Sequence, residues 1–261
     1  MGIFTPKEIA YQAKDTAFQK SAYSIDKFLL LSFLGGAFVA FGSILAIIVG
    51  GGSPEIAAAN PGLQKFMFGA VFPVGLILVI IAGADLFTSD CAIMTIPVLK
   101  KEMKPSKLLK VWTLSYFGNF IGALFVVYFI TYLTGILKPE PFSTASIDIA
   151  IAKTSNPFFK TFWKGVGANW LVCLAAWSAI AAKDVTGKVL AIWFPVMTFV
   201  TFGFEHSIAN MFFIPNAMTL GADISWTTFI VKNLIPATLG NIVGGALFVG
   251  TIYTYIYVND K

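Results

Sequence analysis

Long stretches without charged residues restrict the fold of this chain more than any other feature. Six segments contain no Asp, Glu, Lys or Arg, or only one or two: 28–54, 66–99, 111–137, 165–182, 189–222 and 224–259. A membrane-spanning helix needs about 20 mostly apolar residues. Charged residues make up only 12% of the chain, whereas soluble domains have about a quarter. The pattern predicts an all-α integral membrane protein with six transmembrane helices.

The second and fifth of these segments are too long for one straight helix, and both carry polar residues at their middles. Each has a glycine at that point, Gly83 or Gly203, with prolines on both sides. We therefore predict that helices 2 and 5 are broken inside the membrane. Non-helical backbone at membrane depth is tolerated only where protein or a water-filled cavity surrounds it. The two breaks therefore predict the position of a functional site.

The two halves of the chain also resemble each other. The motif at 83–97, "GADLFTSDCAIMTIP", aligns with "GFEHSIANMFFIP" at 203–215, and "GNFIGALF" at 118–125 aligns with "GNIVGGALF" at 240–248. Each half holds three spans, so the second half must enter the membrane from the opposite side. The sequence predicts an inverted 3+3 repeat, with a site near the bilayer midplane where the two broken helices meet.

We interpret residues 1–261 as a single transmembrane channel domain. Its four predicted parts are an N-terminal amphipathic helix, a first repeat, a polar connector and a second repeat: 1–27, 28–137, 138–164 and 165–261. An interfacial helix buries one apolar face, and Ile9, Ala10, Ala13 and Phe18 are expected near that face.

The positions of the lysines predict the orientation of the chain. Lysines are frequent in the N-terminal section and between the second and third segments, in the range 100–110. Because positive residues favour cytoplasmic loops, we expect both termini on the cytoplasmic side. The net charge of +5 is therefore attributed to membrane topology and not to nucleic-acid binding. The chain also has no arginine, the residue best suited to bidentate phosphate contacts.

One pair of residues is out of place in a hydrocarbon segment: His206, the only histidine, directly follows Glu205. Ionisable residues at membrane depth are costly and usually functional. We expect Glu205 and Asp85 to cap the half-helices that begin after the breaks. His206 is expected to face the space between them, because histidine, with an unperturbed pKa of about 6.5, can exchange protons near neutrality. The sequence assigns no role to Asp90.

Large apolar side chains surround both breaks, and most of them are explained by packing. A few could form a constriction, which would hardly pass a bare ion because an isolated charge is costly in apolar surroundings. Such a constriction could pass a small neutral molecule, or an anion that takes up a proton on entry. The two cysteines, Cys91 and Cys173, are expected to be buried and not to form a metal site.

The motifs "GADLFTSD" and "GFEHSIANMF", together with the repeat, resemble the formate/nitrite transporter family over nearly the whole chain. The resemblance implies an aquaporin-like protomer fold and a homopentamer in membrane lipid, with one pore per protomer. It also implies transport of small monovalent weak-acid anions across the cytoplasmic membrane, with no cofactor or metal. Formate is the first expectation, nitrite and hydrosulfide are alternatives within the family, and acetate is a further candidate.

The same resemblance implies roles for individual residues. His206 matches the central pore histidine, Thr88 the threonine facing it and Lys153 a lysine of the outer vestibule. Asn169 and Asn210 match pore-adjacent asparagines, and Val172 lies near the constriction. Leu76 and Leu86 resemble the cytoplasmic slit, and the periplasmic slit is matched by Phe72, Phe87 and Phe199. Lys164 competes with Lys153 for the lysine role, but we interpret it as an anchor at the membrane interface.

The expected mechanism is attraction of an anion by Lys153, followed by its protonation as water is removed. The proton comes directly from water or through His206, and an open anion channel with a charged His206 is the alternative. A neutral-solute pore of the aquaporin type is a different-class alternative, although the chain has neither Asn-Pro-Ala motifs nor arginine. An enzyme acting in the membrane is disfavoured, because no nucleophile–base pair is evident.

Overall fold

In the computed structural model, which describes residues 2–258, every regular element is helical. The α-helices are, in chain order, α1 Pro6–Ala22, α2 Ile25–Ala46, α3 Pro54–Ala59, α4 Pro61–Val71, α5 Val74–Ala82, α6 Phe87–Ile93, α7 Thr95–Leu99, α8 Pro105–Phe125, α9 Phe142–Thr154, α10 Phe158–Ala181, α11 Val185–Thr201, α12 Ser207–Thr219, α13 Trp226–Thr228, α14 Ile235–Gly245 and α15 Ile252–Tyr257. Four π-helical segments in this range extend or join them: Ile47–Gly51, Val126–Tyr132, Phe229–Leu234 and Ala246–Thr251. The prediction of an all-α chain is confirmed for these residues. The outer ends of the predicted parts, residue 1 and residues 259–261, lie outside the described residues.

Four helices of the described range are long and apolar enough to cross a membrane: Ile25–Gly51, Pro61–Ala82, Pro105–Tyr132 and Trp226–Tyr257. Two shorter apolar helices are Phe87–Leu99 and Val185–Thr201. Many large apolar side chains on these helices are exposed, among them Leu30, Phe117, Ile121 and Phe129. Such outward apolar faces suit lipid and not water. The count of six spans stays a prediction.

The helices are interrupted at two places that correspond in the two halves. Helix α5 ends at Ala82, and Gly83 follows with a φ of +82°; helix α11 ends at Thr201, and Gly203 has a φ of +68°. A positive φ strains any residue that has a Cβ atom, which explains the glycine at each position. Extended residues then lead into α6 and α12.

Two asparagines satisfy the backbone groups that these interruptions expose. In the first half, the Asn119 side chain donates to the carbonyl oxygens of Ser32 (2.6 Å) and Asp85 (2.9 Å). Its Oδ1 accepts from the Phe87 amide at 3.0 Å, at the start of α6. Buried backbone groups without partners are costly in a membrane. One side chain here binds a carbonyl and an amide of the interruption, at Asp85 and Phe87, and ties them to α2 through Ser32.

Asn241 makes the same three kinds of contact in the second half. Its Nδ2 donates to the carbonyl oxygens of Gly165 (2.8 Å) and Glu205 (2.9 Å). Its Oδ1 accepts from the Ser207 amide at 2.8 Å, at the start of α12. The two interruptions are thus held by equivalent residues, which supports the internal repeat found in the sequence.

Close helix packing brings these asparagines to the interruptions. Helix α2 packs along α8, and α10 packs along α14. Glycines make the approach possible: a Cβ atom at Gly122 would lie 1.9 Å from the Phe33 carbonyl oxygen, and one at Gly240 would lie 2.1 Å from that of Phe162. The small residues of "GNFIGALF" and "GNIVGGALF" therefore serve close contact, as small residues do between membrane helices.

The N-terminal helix differs in one detail from the prediction. Helix α1 buries Ile9, Ala10 and Ala13 as expected, but its fourth buried apolar residue is Ala17, and Phe18 is 38% exposed. The assignment of Phe18 to the buried face was wrong, because the helical period places position 17, one turn after Ala13, on that face. The predicted polar connector 138–164 also contains a helix, α9, and the start of α10.

Replacement of Asn241 by alanine should destabilise the protein by about 3 kcal/mol, since three hydrogen bonds worth about 1 kcal/mol each are lost. Thermal unfolding of the purified protein in detergent measures the effect. Asn60→Ala is the control: Asn60 is exposed and only caps α4 through the Leu63 amide, so its loss should cost about 1 kcal/mol. Equal shifts for the two variants would contradict a special role of Asn241.

Candidate functional site

The two interruptions meet at a buried pair of side chains. Thr88 lies in the first turn of α6 and His206 directly precedes α12. The Thr88 hydroxyl lies 3.0 Å from His206 Nε2, and the two residues are 0% and 4% exposed. The structure therefore brings together the two residues that the resemblance placed at the centre of the pore.

The hydrogen bonds fix the proton on the histidine ring. The Ala209 amide donates to His206 Nδ1 at 3.1 Å. An amide nitrogen can only donate, so Nδ1 is the acceptor, and a neutral ring then carries its proton on Nε2. Nε2 therefore donates to the Thr88 oxygen, which leaves the Thr88 hydroxyl proton free to donate to a third group. The pair presents a hydrogen-bond donor to whatever passes it.

The capping roles expected of the two acids are wrong. The start of α12 is capped by His206 and by Asn241, and the start of α6 by Asn119. The carboxylates of Glu205 and Asp85 point instead to lysines. An amide side chain can accept from one backbone group and donate to two others at the same time, which a carboxylate cannot do.

Glu205 is buried, with 1% exposure, and is surrounded by donors. Its Oε2 accepts from Lys153 at 3.1 Å, from Asn210 at 2.7 Å and from Asn233 at 3.2 Å. Asn233 also donates to the Lys153 carbonyl at 3.0 Å. This network satisfies the buried carboxylate and fixes the end of α9 beside α12.

Asn169 lies on the other side of the central pair. Its Nδ2 donates to the Thr88 carbonyl at 3.0 Å and to the Asn241 carbonyl at 2.6 Å. The Cys173 thiol, one turn further along α10, also donates to the Thr88 carbonyl, at 3.2 Å. Both side chains hold the backbone of Thr88 and do not themselves bond to His206. Cys91 and Cys173 are free and buried, as the sequence predicted.

A cavity of about 380 Å³ opens at the second interruption, and we call it the Lys153 cavity. Its wall contains His206, and its charged lining residues are Lys65, Lys153, Lys164 and Glu205. Lys164 therefore faces the same space as Lys153, because α9 and α10 place the two lysines on one wall. Its interpretation as an anchor at the membrane interface stays a prediction.

Aromatic rings close the Lys153 cavity toward the central pair. Phe72 and Phe199 meet edge to face with ring centroids 6.1 Å apart, and the Phe199 ring stacks on the His206 ring at 5.8 Å. Phe87, which was grouped with them, instead contacts Trp112 and Tyr116, with centroids 6.2 and 5.0 Å away. Phe87 is buried in the same apolar core as Phe72 and Phe199, and its place in a slit with them stays a prediction.

A second cavity of about 250 Å³ opens at the first interruption, and we call it the Lys20 cavity. Leu86 lines it, together with Lys20, Asp85 and Ser89. The other predicted constriction residues, Leu76 and Val172, are buried in the main apolar core, as are Leu86, Phe72 and Phe199. The central pair thus has an apolar neighbourhood, with one cavity at each interruption.

Lys20 is a site residue that sequence reasoning missed. Its ammonium lies 2.6 Å from Asp85 Oδ1 and 2.5 Å from Asp90 Oδ1. Burial lowers the pKa of Lys20, but its interactions with Asp85 and Asp90 outweigh burial, so the net shift of this pKa is upward. No sequence signal distinguishes Lys20 from the other N-terminal lysines.

The roles of Asn119 and Asn241 were also missed. Both residues stand in the repeated "GN" motif, which the sequence analysis used only as a sign of the repeat and of close packing.

Among residues 2–258, no group of three or more His, Cys, Asp or Glu side chains is arranged to hold a metal ion. The chemistry that this site offers is therefore that of hydrogen bonds, lysine ammonium groups and apolar walls.

Comparison with known proteins agrees with this geometry. The sequence model of the formate/nitrite transporter family matches residues 7–255. A probable formate transporter from Methanothermobacter thermautotrophicus is 44% identical over an alignment of 270 residues that covers 98% of each chain.

Solved structures similar to this chain include two channels. An FNT family ion channel superposes with a TM-score of 0.87 at 31% identity, over 95% of this chain and 98% of the other. A pentameric formate channel with formate bound superposes with a TM-score of 0.77 at 33% identity, over 94% and 99% of the two chains.

Apolar outer faces, two cavities and a buried polar pair between two helix interruptions are features of an integral membrane transporter or channel, and the matched family and structural neighbours are transporters or channels. The family match over nearly the whole length makes the assignment specific. The chain belongs to the formate/nitrite transporter family.

Thr88→Val should reduce transport and destabilise the protein by about 1–3 kcal/mol, because the His206 Nε2 proton loses its buried acceptor. Uptake into proteoliposomes and thermal unfolding measure the two effects. Thr161→Val is the matched control, since the Thr161 hydroxyl is buried and has no hydrogen-bond partner among the described residues. This control should leave transport unchanged, and an equal loss in both variants would contradict the role of the pair.

Proposed function

We propose that the protein transports formate, and with lower preference nitrite, hydrosulfide and acetate, across the cytoplasmic membrane. The observation that carries the proposal is the buried Thr88–His206 pair, with one cavity at each of the two helix interruptions that meet there. In this proposal the protein is a homopentamer with one pore in each protomer and with both termini in the cytoplasm.

The architecture we propose is an aquaporin-like protomer with six spans in an inverted 3+3 repeat. Helices α5 with α6, and α11 with α12, are then the two broken spans. The equivalent contacts of Asn119 and Asn241 support this arrangement. A transport pathway along the interface of such repeats passes between the two interruptions, where Thr88 and His206 lie.

Capture of an anion begins in the Lys153 cavity. Three lysines line this cavity and Glu205 is the one acid among its lining residues, so its net charge is positive. A cleft of one sign raises the local concentration of ions of the opposite sign. Because Lys153 is paired with Glu205 at 3.1 Å, Lys164 and Lys65 supply the excess positive charge.

Beyond the lysines, the path narrows between Phe72 and Phe199. An isolated anion in these apolar surroundings is costly, whereas the neutral acid is not. Loss of water therefore favours protonation of a weak-acid anion. The acid formed in this way passes the rings and takes a hydrogen bond from the Thr88 hydroxyl at the midpoint.

His206 acts here as a neutral hydrogen-bonding group. A charged ring would carry a proton on Nδ1 and would lose its contact with the Ala209 amide. This contact favours protonation of the anion from water over an open anion channel with a charged histidine. Because His206 caps α12 with Nδ1 and donates to Thr88 with Nε2, the orientation of the Thr88 hydroxyl depends on this cap.

Uptake by purified protein in proteoliposomes tests the proposed substrate. Formate, nitrite, hydrosulfide and acetate are compared at about pH 5 and about pH 7, on either side of the unperturbed histidine pKa. Formate uptake should be fastest, should rise at the lower pH and should acidify the vesicle interior. In His206→Asn the rate should fall but the pH dependence should remain, because water supplies the proton. Faster uptake of another anion would identify that anion as the substrate. Uptake of glycerol, and not of these anions, would support a neutral-solute pore.

Lys164→Gln should raise the apparent KM for formate several-fold while the maximal rate changes little, because it removes net positive charge from the cavity. The effect should shrink at high ionic strength, since salt screens the attraction. Lys160→Gln is the matched control: Lys160 lies one turn earlier on α10, is exposed and is not among the residues that line the cavity. Equal changes in both variants would contradict capture by Lys164.

A further inference from the structure

We propose that the buried carboxyl pair Asp85–Asp90 binds one exchangeable proton, held mainly by Asp90, and so forms a proton site beside the Lys20 cavity. The structure places two acids and one lysine together in this part of the fold, and neither the family assignment nor the proposed transport step requires Asp90.

The charges around Asp90 do not balance if both acids are ionised. Lys20 Nζ contacts Asp85 Oδ1 at 2.6 Å and Asp90 Oδ1 at 2.5 Å, while the two aspartate side chains are 3% and 0% exposed. Two carboxylates and one ammonium leave one buried negative charge. A buried charge without a partner is strongly unfavourable, and two carboxyl groups that share a site usually retain one proton between them.

Among the described residues, Lys20 is the one cation that forms an ion pair with this cluster. Lys188 on α11 also lines the Lys20 cavity but is not an ion-pair partner of either aspartate. Helices α7, α12 and α14, which pack near α6, contain no charged residue. Helix α8 faces the cluster with the neutral side chains Ser115 and Trp112. The titratable neighbours are the thiols of Cys91 and, on α10, Cys173, which do not supply positive charge.

The hydrogen bonds indicate which acid carries the proton. Asp85 is well supplied with donors: Ser115 donates to its Oδ2 at 2.5 Å and Lys20 to its Oδ1. Asp90 Oδ2 is buried and has no hydrogen-bond partner among the described residues. The neighbouring Ser89 hydroxyl also has none. An oxygen without donors is much less costly on a neutral acid than on a carboxylate, so Asp90 is the protonated member.

The internal repeat gives independent support. Asp90 follows Asp85 by five residues, as Asn210 follows Glu205. Asn210 is uncharged, and its Nδ2 donates to Glu205 at 2.7 Å. A protonated aspartic acid has nearly the shape of asparagine and also carries a donor. The first half of the chain therefore holds a titratable group at the position where the second half holds a fixed amide.

This site gives the Lys20 cavity a proton donor that the Lys153 cavity lacks, a consequence that rests on the proposed function. Asp85 lines the Lys20 cavity. Asp90 is not among the lining residues but contacts the same lysine, Lys20. A proton that leaves Asp90 through Asp85 converts an incoming anion to its neutral acid and leaves a carboxylate. A hydronium ion in the cavity then returns a proton to the pair and leaves as water.

Infrared difference spectroscopy of the purified protein in lipid, between neutral and alkaline buffer, tests the proton site without any transport assay. The unmodified protein should lose the carbonyl band of a protonated carboxylic acid on going to alkaline buffer. Asp90→Asn should lack this band, because Asp85 then pairs with Lys20 alone. Asp148→Asn is the control, since Asp148 is an exposed acid on α9, and it should keep the band.

A second variant keeps the test decisive if Asp90→Asn folds poorly. Asn210→Asp places an acid at the equivalent position beside Glu205 and Lys153, and it should add a protonated-carboxyl band. Absence of the band in the unmodified protein, or its persistence in Asp90→Asn, would overturn the proposal. If the bands behave as expected but no anion is taken up, the proton site stands and the proposed function fails.

Discussion

The need to satisfy exposed backbone inside a membrane is the constraint on which the rest of this structure depends. Each helix interruption frees amide and carbonyl groups, and one asparagine from a neighbouring helix binds one of each. The third hydrogen bond of each asparagine reaches a carbonyl of a further helix, α2 or α10. Only close, glycine-mediated packing of α2 on α8 and of α10 on α14 brings Asn119 and Asn241 near enough. Because the interruptions are held in this way, Thr88 and His206 can face each other at fixed distance and orientation.

These contacts determine the geometry of the site step by step. Capping of α12 fixes the tautomer of His206, the tautomer fixes the direction of the bond to Thr88, and the free Thr88 hydroxyl becomes the donor. The acids next to this pair are neutralised: Glu205 is paired with Lys153, and Asp85 with Lys20. The centre of the path is therefore polar but uncharged, which suits the passage of a small neutral acid between two charged cavities.

Much of this was predictable from the sequence because membrane burial leaves a strong pattern. Charge-free segments, paired glycines at 83 and 203, and the repeated "GN" motif indicated an all-helical membrane protein with a site at the interruptions. The partners of buried polar groups were not predictable, since they depend on distant helices. The sequence therefore assigned the caps to Glu205 and Asp85 instead of the asparagines and overlooked Lys20.

The central claim is that the substrate crosses the Thr88–His206 pair as a neutral acid. The most direct test is formate uptake into proteoliposomes whose membrane potential is set with potassium and valinomycin while the pH gradient is held constant. The account predicts a rate that follows the pH gradient and is independent of the potential. A rate that increases with an inside-positive potential and ignores the pH gradient would contradict it, since a bare anion would then be the species that crosses.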